Sequence, residues 1–381
     1  MRLLHTSDWH IGRQLHGVSL LEDQAHVLDQ IVSTVAEQDV DVVLISGDLY
    51  DRSVPPTEAV SLLNATLNRL CRELGVQVII IAGNHDSAER LDFAADLLCD
   101  AGLHIVGPLS ADIQPISLTV DDVTVDFFGL PYADPARVRH VYGAELSSHE
   151  EAMALLLESV KTKQQAGRPS VVLSHCFIDG GEESDSERPL SIGGADRINA
   201  DLFAPFTYSA LGHLHRPQYK GREHVRYSGS ILKYSFSEVD HQKSVTLVNI
   251  SAAGDVTTEY VELQPLRDMR ILEGALEDIL AAGASDPHSN DYVLARLTDT
   301  HAILDIIGKL RDVYPNTLHL ERPGLQPKGG LPDAGREMMK QSELELFENF
   351  YAEVNGEPVT DAQRDIVSGI LKDLLVSEAS A

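Results

Sequence analysis

Short β-branched apolar runs alternate along this chain with longer stretches whose apolar residues recur every three or four positions. The run at 42–46, Val-Val-Leu-Ile-Ser, is bounded by polar residues and reads as a strand buried on both faces. It stops at Gly47 and presents Asp48 where the strand leaves the sheet, the end at which ligands of open α/β sheets gather. Four more runs end in the same manner: 3–7 in Asp8-Trp9-His10, 78–81 in Gly83-Asn84-His85-Asp86, 171–174 in His175, and 208–211 in Gly212-His213-Leu214-His215. Leu21, Ala25, Leu28, Val32 and Val35 predict a crossover helix over 20–36, Pro55-Pro56-Thr57 open a second over 57–74, and a third is expected over 88–98. This βαβαβα series implies a mainly parallel sheet with right-handed crossovers.

The middle of the chain changes character. Residues 116–120 and 123–129 alternate about Asp121-Asp122 as a hairpin, a helix over 147–164 leads into the strand at 171, and strands are expected at 225–228, 245–250 and 256–263. Together these predict two sheets packed face to face and flanked by helices. The polar, glycine-rich stretch 180–187 reads as a surface loop over the site. A boundary is expected near Gln264-Pro265, giving a domain over 1–264 and a small α/β unit over 265–322, with strands at 269–272, 292–297 and 317–320 and helices ending at 281 and spanning 301–313. Residues 323–341 read as a linker, Gly- and Pro-rich at its start, and 342–381 as a helical segment, with amphipathic helices over 342–354 and 361–375. Phe347, Phe350, Tyr351 and Val354 share one face of the first; Ile366, Ile370 and Leu374 line the second less regularly.

Composition bounds the function. At 381 residues, with 43% hydrophobic and 23% charged side chains, this is an ordinary folded chain of two or three domains. No apolar run reaches membrane-spanning length and no signal-peptide pattern opens the chain, so a cytoplasmic, nucleoid-associated protein without a membrane partner is expected. Cys71, Cys99 and Cys176 lack a CxxC spacing, which fits a reducing compartment. The net charge is −29, without the basic stripe that usually supplies phosphate affinity. Were DNA the substrate, its phosphates would have to be held by metal ions, local arginines and another subunit.

The strand-end residues Asp8, His10, Asp48, Asn84, His175, His213 and His215 are all oxygen or imidazole donors. Gathered in one cleft without a cation they would leave buried charge uncompensated, at a cost on the order of several kcal/mol each. A dinuclear centre, with ions roughly 3.5 to 4 Å apart, removes that conflict. Asp48 is the natural bridge, with Asp8, His10 and His215 serving one ion and Asn84, His175 and His213 the other. The mixed donor set suits manganese, iron or zinc better than calcium. Such a centre acidifies water and neutralises the phosphate oxygens that it attacks. His85 is then the candidate general acid, oriented by Asp86, and Asp51 a supporting or leaving-group residue.

Through Asp8-x-His10, Gly47-Asp48-x-x-Asp51, Gly83-Asn84-His85-Asp86, His175 and Gly212-His213-x-His215 the sequence resembles the calcineurin-like metallophosphoesterases. A denser likeness over roughly the first 260 residues is to the bacterial nucleases of that superfamily. It rests on stretches 5–12, 192–194, 210–218, 227–230 and 234–238, the last being Tyr-Ser-Phe-Ser-Glu. The resemblance implies a four-layer αββα sandwich with a small α/β capping domain and C-terminal helices. It also implies two manganese ions, an SMC-like ATPase partner, and action on DNA ends, hairpins and palindromes. Homodimers of the family pair through helices near the site, here 57–74 and 88–98, and the terminal helices would grip the partner's coiled coil. Two rivals remain at this point: a small-molecule or nucleotide phosphodiesterase of the same superfamily, and a non-catalytic interaction module. Retention of every ligand and of His85 speaks against the second.

Overall fold

The computed structural model describes residues 1–190, 196–325, 344, 347–348, 351–352 and 357–378. Two compact units divide after Met269.

In the first unit six strands form one sheet in the order Val256–Glu262, Ser244–Ile250, Arg2–Thr6, Val42–Ser46, Gln77–Ile81, Leu103–Val106. The last four run parallel, as βαβ crossovers require, and the two late strands add antiparallel at one edge. A second sheet has the order Gln218–Lys220, Arg222–Tyr227, Tyr208–Gly212, Ser170–His175, Val123–Leu130, Ile116–Val120. Alternation along these strands sorts their side chains into layers. Leu3, Val42, Leu44, Ile79 and Ile81 of the first sheet meet Val125, Phe127, Val171, Leu173 and Ala210 of the second in one core. Phe128, Leu130, Val172 and Leu211 point the other way, onto Met153, Leu156, Leu157 and Val160 of the helix His149–Lys163. Leu4, Val43, Ile45 and Ile80 are likewise buried outside the inter-sheet core, and the helix Leu21–Glu37 buries Val27, Leu28, Ile31 and Val35. The result is the four-layer αββα sandwich.

Several local expectations are corrected. The helix over 88–98 is two short ones, Ala88–Leu91 and Ala95–Leu98, because Ala94 turns left-handed at φ 61° and breaks the hydrogen-bond ladder. The helix Thr57–Asn68 runs on through a wider π turn, Arg69–Glu73. The strand Leu103–Val106 and the helix Pro135–Tyr142, capped by Asp134 accepting from Arg137 N, were not anticipated by the pattern.

The second unit holds a three-stranded sheet, Met269–Gly274, Tyr292–Leu297 and Thr317–Glu321, with helices Leu276–Gly283 and Ile306–Arg311 over a core of Ile279, Val293, Ala295, Leu310 and Tyr314. The helix expected over 301–313 is shortened at its start by Asp305, whose side chain caps Gly308 N. The terminal helix spans Asp361–Glu378 and exposes Ile366 and Ile370. Most of the expected linker and of the helix over 342–354, including Phe350 and Val354, lies outside the described residues.

Candidate metal centre

The strand ends converge where both sheets stop. Past the strands Arg2–Thr6 and Val42–Ser46 the two loops are stitched together, Asp8 N donating to Gly47 O at 3.1 Å and His10 N to Asp48 O at 2.9 Å. Asp8, His10, Asp48 and His213 all sit at positive φ, 53°, 44°, 52° and 108°, in a left-handed region that costs a side-chain-bearing residue about 1–2 kcal/mol. Strain of this kind gathers at functional sites. The strand of the second sheet ends at Gly212, so His213 and His215 leave it on turning, not extended, backbone. Gly47 must be glycine twice over, since φ is 91° and a Cβ would lie 2.5 Å from His175 Nδ1.

Asp48 stands in the middle. Its Oδ2 lies 3.7 Å from His10 Nε2 and 3.4 Å from His175 Nε2, while Oδ1 accepts the His85 N–H at 2.8 Å. On one side His10 Nε2 faces His215 Nε2 at 3.1 Å; on the other His175 Nε2 faces Asn84 Oδ1 at 2.9 Å. Ligand atoms of Asp8, His10 and His215 fall within 4.8 Å of one another, as do those of Asp8, Asp48 and His175, and of His10, Asp51 and His85. Asp8 lies within reach of both His10–His215 and Asp48–His175, and its two oxygens take the His213 N–H, each at 3.1 Å. The His213 ring stacks edgewise on His175 with centroids 5.4 Å apart and falls in none of those three groups.

The electrostatics state the same conflict that the sequence raised. Burial pushes the Asp8 carboxyl above its usual range, whereas the imidazoles of His175 and His10 outweigh burial and pull Asp48 far below it. Burial would lower His175, but Asp48 beside it wins and raises it to about 9. Burial holds His10 and His213 well below the normal imidazole range. The protein alone thus demands positive charge at the Asp48–His175 seam and refuses it on His10 and His213.

The donor geometry fits a cation at both sides. His175 Nδ1 donates to Ser46 O at 2.9 Å, so in the neutral ring Nε2 offers a lone pair toward Asn84 Oδ1, another acceptor. Two buried imidazole nitrogens of His10 and His215 likewise point at one another. Nitrogen and oxygen atoms that can each offer a lone pair, converging in pairs, are what divalent ions require.

The other expected residues divide. His85 Nδ1 donates to the Asp51 backbone carbonyl at 2.7 Å, and its ring packs edgewise on His10 at 4.7 Å. The orienting group is therefore Asp51. Asp86 does not touch the imidazole: its carboxylate accepts the N–H groups of Gly83, Leu49 and Tyr50 at 2.9, 3.2 and 3.0 Å and fastens two loops together. Burial, then the nearby Asp48 charge, raises Asp86 to about 6. Arg13 escaped the sequence reading, yet it donates to Asp51 Oδ1 at 3.2 Å and to Ser186 O at 3.1 Å, joining the segment under His85 to the 180–187 loop. Gln24, a polar residue on the buried face of its helix, ties Gly12 N to the carbonyls of Trp9 and His10; its place on that face was the available signal.

Comparison with known proteins gives the family. A family model described as calcineurin-like phosphoesterase matches residues 1–217, and one described as type 5 capsule protein repressor C-terminal domain matches 265–355. The chain is 34% identical over 379 residues, 99% of its length, to the whole of the SbcD subunit of nuclease SbcCD from Staphylococcus epidermidis. Among solved structures, a dimetal phosphatase from Danio rerio aligns at 11% identity and TM-score 0.40, over 69% of this chain and 96% of that one. GAP50, the anchor in the inner membrane complex of Plasmodium, aligns at 12% and 0.39, over 86% and 99%. Both scores are too low to bear on function. Family model and full-length relative together place the chain among the calcineurin-like phosphoesterases and, within them, in the SbcD family.

Proposed function

We propose that this chain is a manganese-dependent DNA nuclease that hydrolyses phosphodiester bonds at DNA ends, hairpins and palindromes together with an SbcC-type, SMC-like ATPase. The observation that carries the reading is the position of Asp48, one carboxylate oxygen between His10 and His175 and the other on the backbone of His85. Asp8, His10 and His215 would hold one ion and Asn84, His175 and His213 the other, with Asp48 shared between the two sets. Divalent cations bound there supply the positive charge that polarises the phosphodiester and acidifies water.

The protein's own part is positional. Asp51 O accepts the His85 Nδ1–H and so aims Nε2 outward. As general acid the ring enters as the imidazolium, gives its Nε2 proton to the leaving alkoxide as water adds to phosphorus and the P–O bond breaks, and is left neutral with Nδ1–H on Asp51 O. Arg13 and the Asp86 bracket hold the loops that carry Asp51 and His85. With a net charge of −29, most of the DNA affinity falls to the ATPase partner. Residues 1–264 form the nuclease domain, 265–322 the cap, 323–341 the linker and 342–381 the partner-binding helices, whose exposed Ile366 and Ile370 face the ATPase. A homodimer forms across helices Thr57–Asn68 and Ala88–Leu91 with Ala95–Leu98, where the exposed Val60 and Phe93 line an apolar groove. The protein works in the cytoplasm, on the nucleoid; among the described residues no helix is long and apolar enough to cross a membrane.

The test is cleavage of a hairpin-capped duplex by the full chain with manganese, beside His85→Ala, with and without the ATPase and ATP. His85-dependent product that rises with partner and ATP is the expected result. Hydrolysis of a nucleotide phosphodiester without any DNA product would overturn the DNA assignment.

A further inference from the structure

Behind His215 lies a buried charged cluster that the reaction above does not use. Glu238 is fully buried and pairs through Oε2 with Lys243 Nζ at 2.6 Å; Lys243 is itself only 6% exposed. Lys243 also donates to the His215 carbonyl and to Ser230 Oγ, each at 2.8 Å. The other oxygen of Glu238 accepts the Ser186 hydroxyl and stands 3.5 Å from His215 Nδ1, and Ser186 Oγ is 2.6 Å from that same nitrogen. Tyr234 N and the hydroxyls of Ser184 and Ser235 converge on Oε1 as well, each at 3.3 Å.

Burying two charges is costly, and apolar residues of similar volume would fill the space without that cost. What an apolar pair cannot do is give a hydrogen-bond chain a direction. A carboxylate only accepts, so the single Ser186 proton points at Glu238. The Ser186 oxygen then has only lone pairs to offer His215, and His215 must carry its proton on Nδ1. Its Nε2 is left bare and faces His10 Nε2. Outer partners of this kind set the orientation of metal-binding histidines in general.

We infer that Glu238, anchored by Lys243 and acting through Ser186, is the positioning residue that fixes the His215 proton on Nδ1 and aims its Nε2 lone pair into the centre. The inference deepens the metal-centre reading and rests on it. It also makes the 184–187 segment part of the centre, since Glu187 Oε1 accepts the His215 N–H at 2.6 Å and Ser186 O holds Arg13.

The test uses the full chain, first metal-free and then with manganese alone. Histidine labelled with the heavy nitrogen isotope reports the tautomer by NMR, the His215 signals being those lost in His215→Gln. The wild type should carry the proton on Nδ1. Glu238→Gln with Lys243→Met removes both charges and keeps the volumes; in it the proton should spread to Nε2. In a manganese titration followed by electron paramagnetic resonance, one of two ions should weaken about 10- to 100-fold while the other holds. Ser186→Ala leaves the ion pair intact and should lose part of the Nδ1 preference, which keeps the test decisive if the double variant fails to fold. An unmoved Nδ1 proton in a folded variant would overturn the inference, and so would equal weakening of both ions. A wild type that binds no manganese would overturn the metal-centre reading instead, and the tautomer would still decide this one.

Discussion

His175 stands against the Asp48 carboxylate and His215 against His10, on the other side of the centre, and they are held in opposite ways. His175 takes its orientation from the main chain: Nδ1 donates to the carbonyl of Ser46, in a strand buried on both faces, and Gly47 and Gly212 crowd its ring. His215 takes its orientation from side chains, through Ser186, Glu238 and Lys243. The difference teaches where each side can be broken. Backbone support survives every side-chain substitution except one that displaces the backbone, whereas side-chain support can be dismantled one atom group at a time.

Asp48→Ala should erase the comparison by removing the group common to both sides. Manganese bound to the desalted chain should fall from about two ions to fewer than one, the number a bridging carboxylate sets, and cleavage to background; retention of both ions would break the bridging assignment. His85→Ala should leave both sides loaded and lower turnover by about 10²- to 10⁴-fold, the worth of a general acid, measured on a hairpin-capped duplex at saturating manganese. Gly212→Ala attacks the main-chain side alone. Its Cβ would meet the Ser46 carbonyl oxygen and come 2.9 Å from His175 Nδ1. The expected result is an ion weakened about 10- to 100-fold and a stability loss of about 1–3 kcal/mol by urea unfolding. If the ion it weakens is the one sensitive to Glu238 and Lys243, the two sides are not separate.

The smallest effect comes from a buried histidine that belongs to neither side. His5 accepts from the Tyr208 hydroxyl at 2.9 Å and donates Nε2–H to Leu211 O at 3.2 Å, and burial lowers it from 6.5 to about 3. The unfolded chain gains a proton near pH 6.5 that the folded chain refuses until about pH 3, so this contribution is complete above 6.5 and drains away as pH falls. Between pH 7 and pH 5 it should remove about 2 kcal/mol. His5→Gln, compared with wild type by urea midpoints at both pH values, should lack that slope and keep its manganese; an equal slope in both proteins would refute the account.

How much of this was legible in the sequence follows from how local each signal is. The run 42–46 announces a doubly buried strand because each of its residues is apolar or small, and the structure buries all five. The polar residues after each strand could be gathered into one site because parallel strands bring their ends together. His104 interrupts the apolar run that would have marked Leu103–Val106, and the strand Gln218–Lys220 is too short and polar to show a period. The helix Pro135–Tyr142 did carry its signal, Asp134 followed by proline at the first helical position. Asp86 was assigned to His85 by adjacency, but its partners are backbone groups of the neighbouring loops. Glu238, Lys243 and Ser186 were beyond reach for a different reason. Nothing near each of them in sequence says that its partner stands five or fifty-two positions away.

The first strand of the chain has its neighbours at 42–46 and at 244–250, and Asp8 and His10, which follow it, meet partners from 175 to 215. A nascent chain therefore cannot load metal as it emerges. Until Ser244–Ile250 is made, one edge of Arg2–Thr6 lies open, a template for pairing with other chains. Contacts this distant in sequence close slowly. The interval between the first strand and its late partner is thus the window in which a chaperone, or a shortage of one, should decide the yield of active protein.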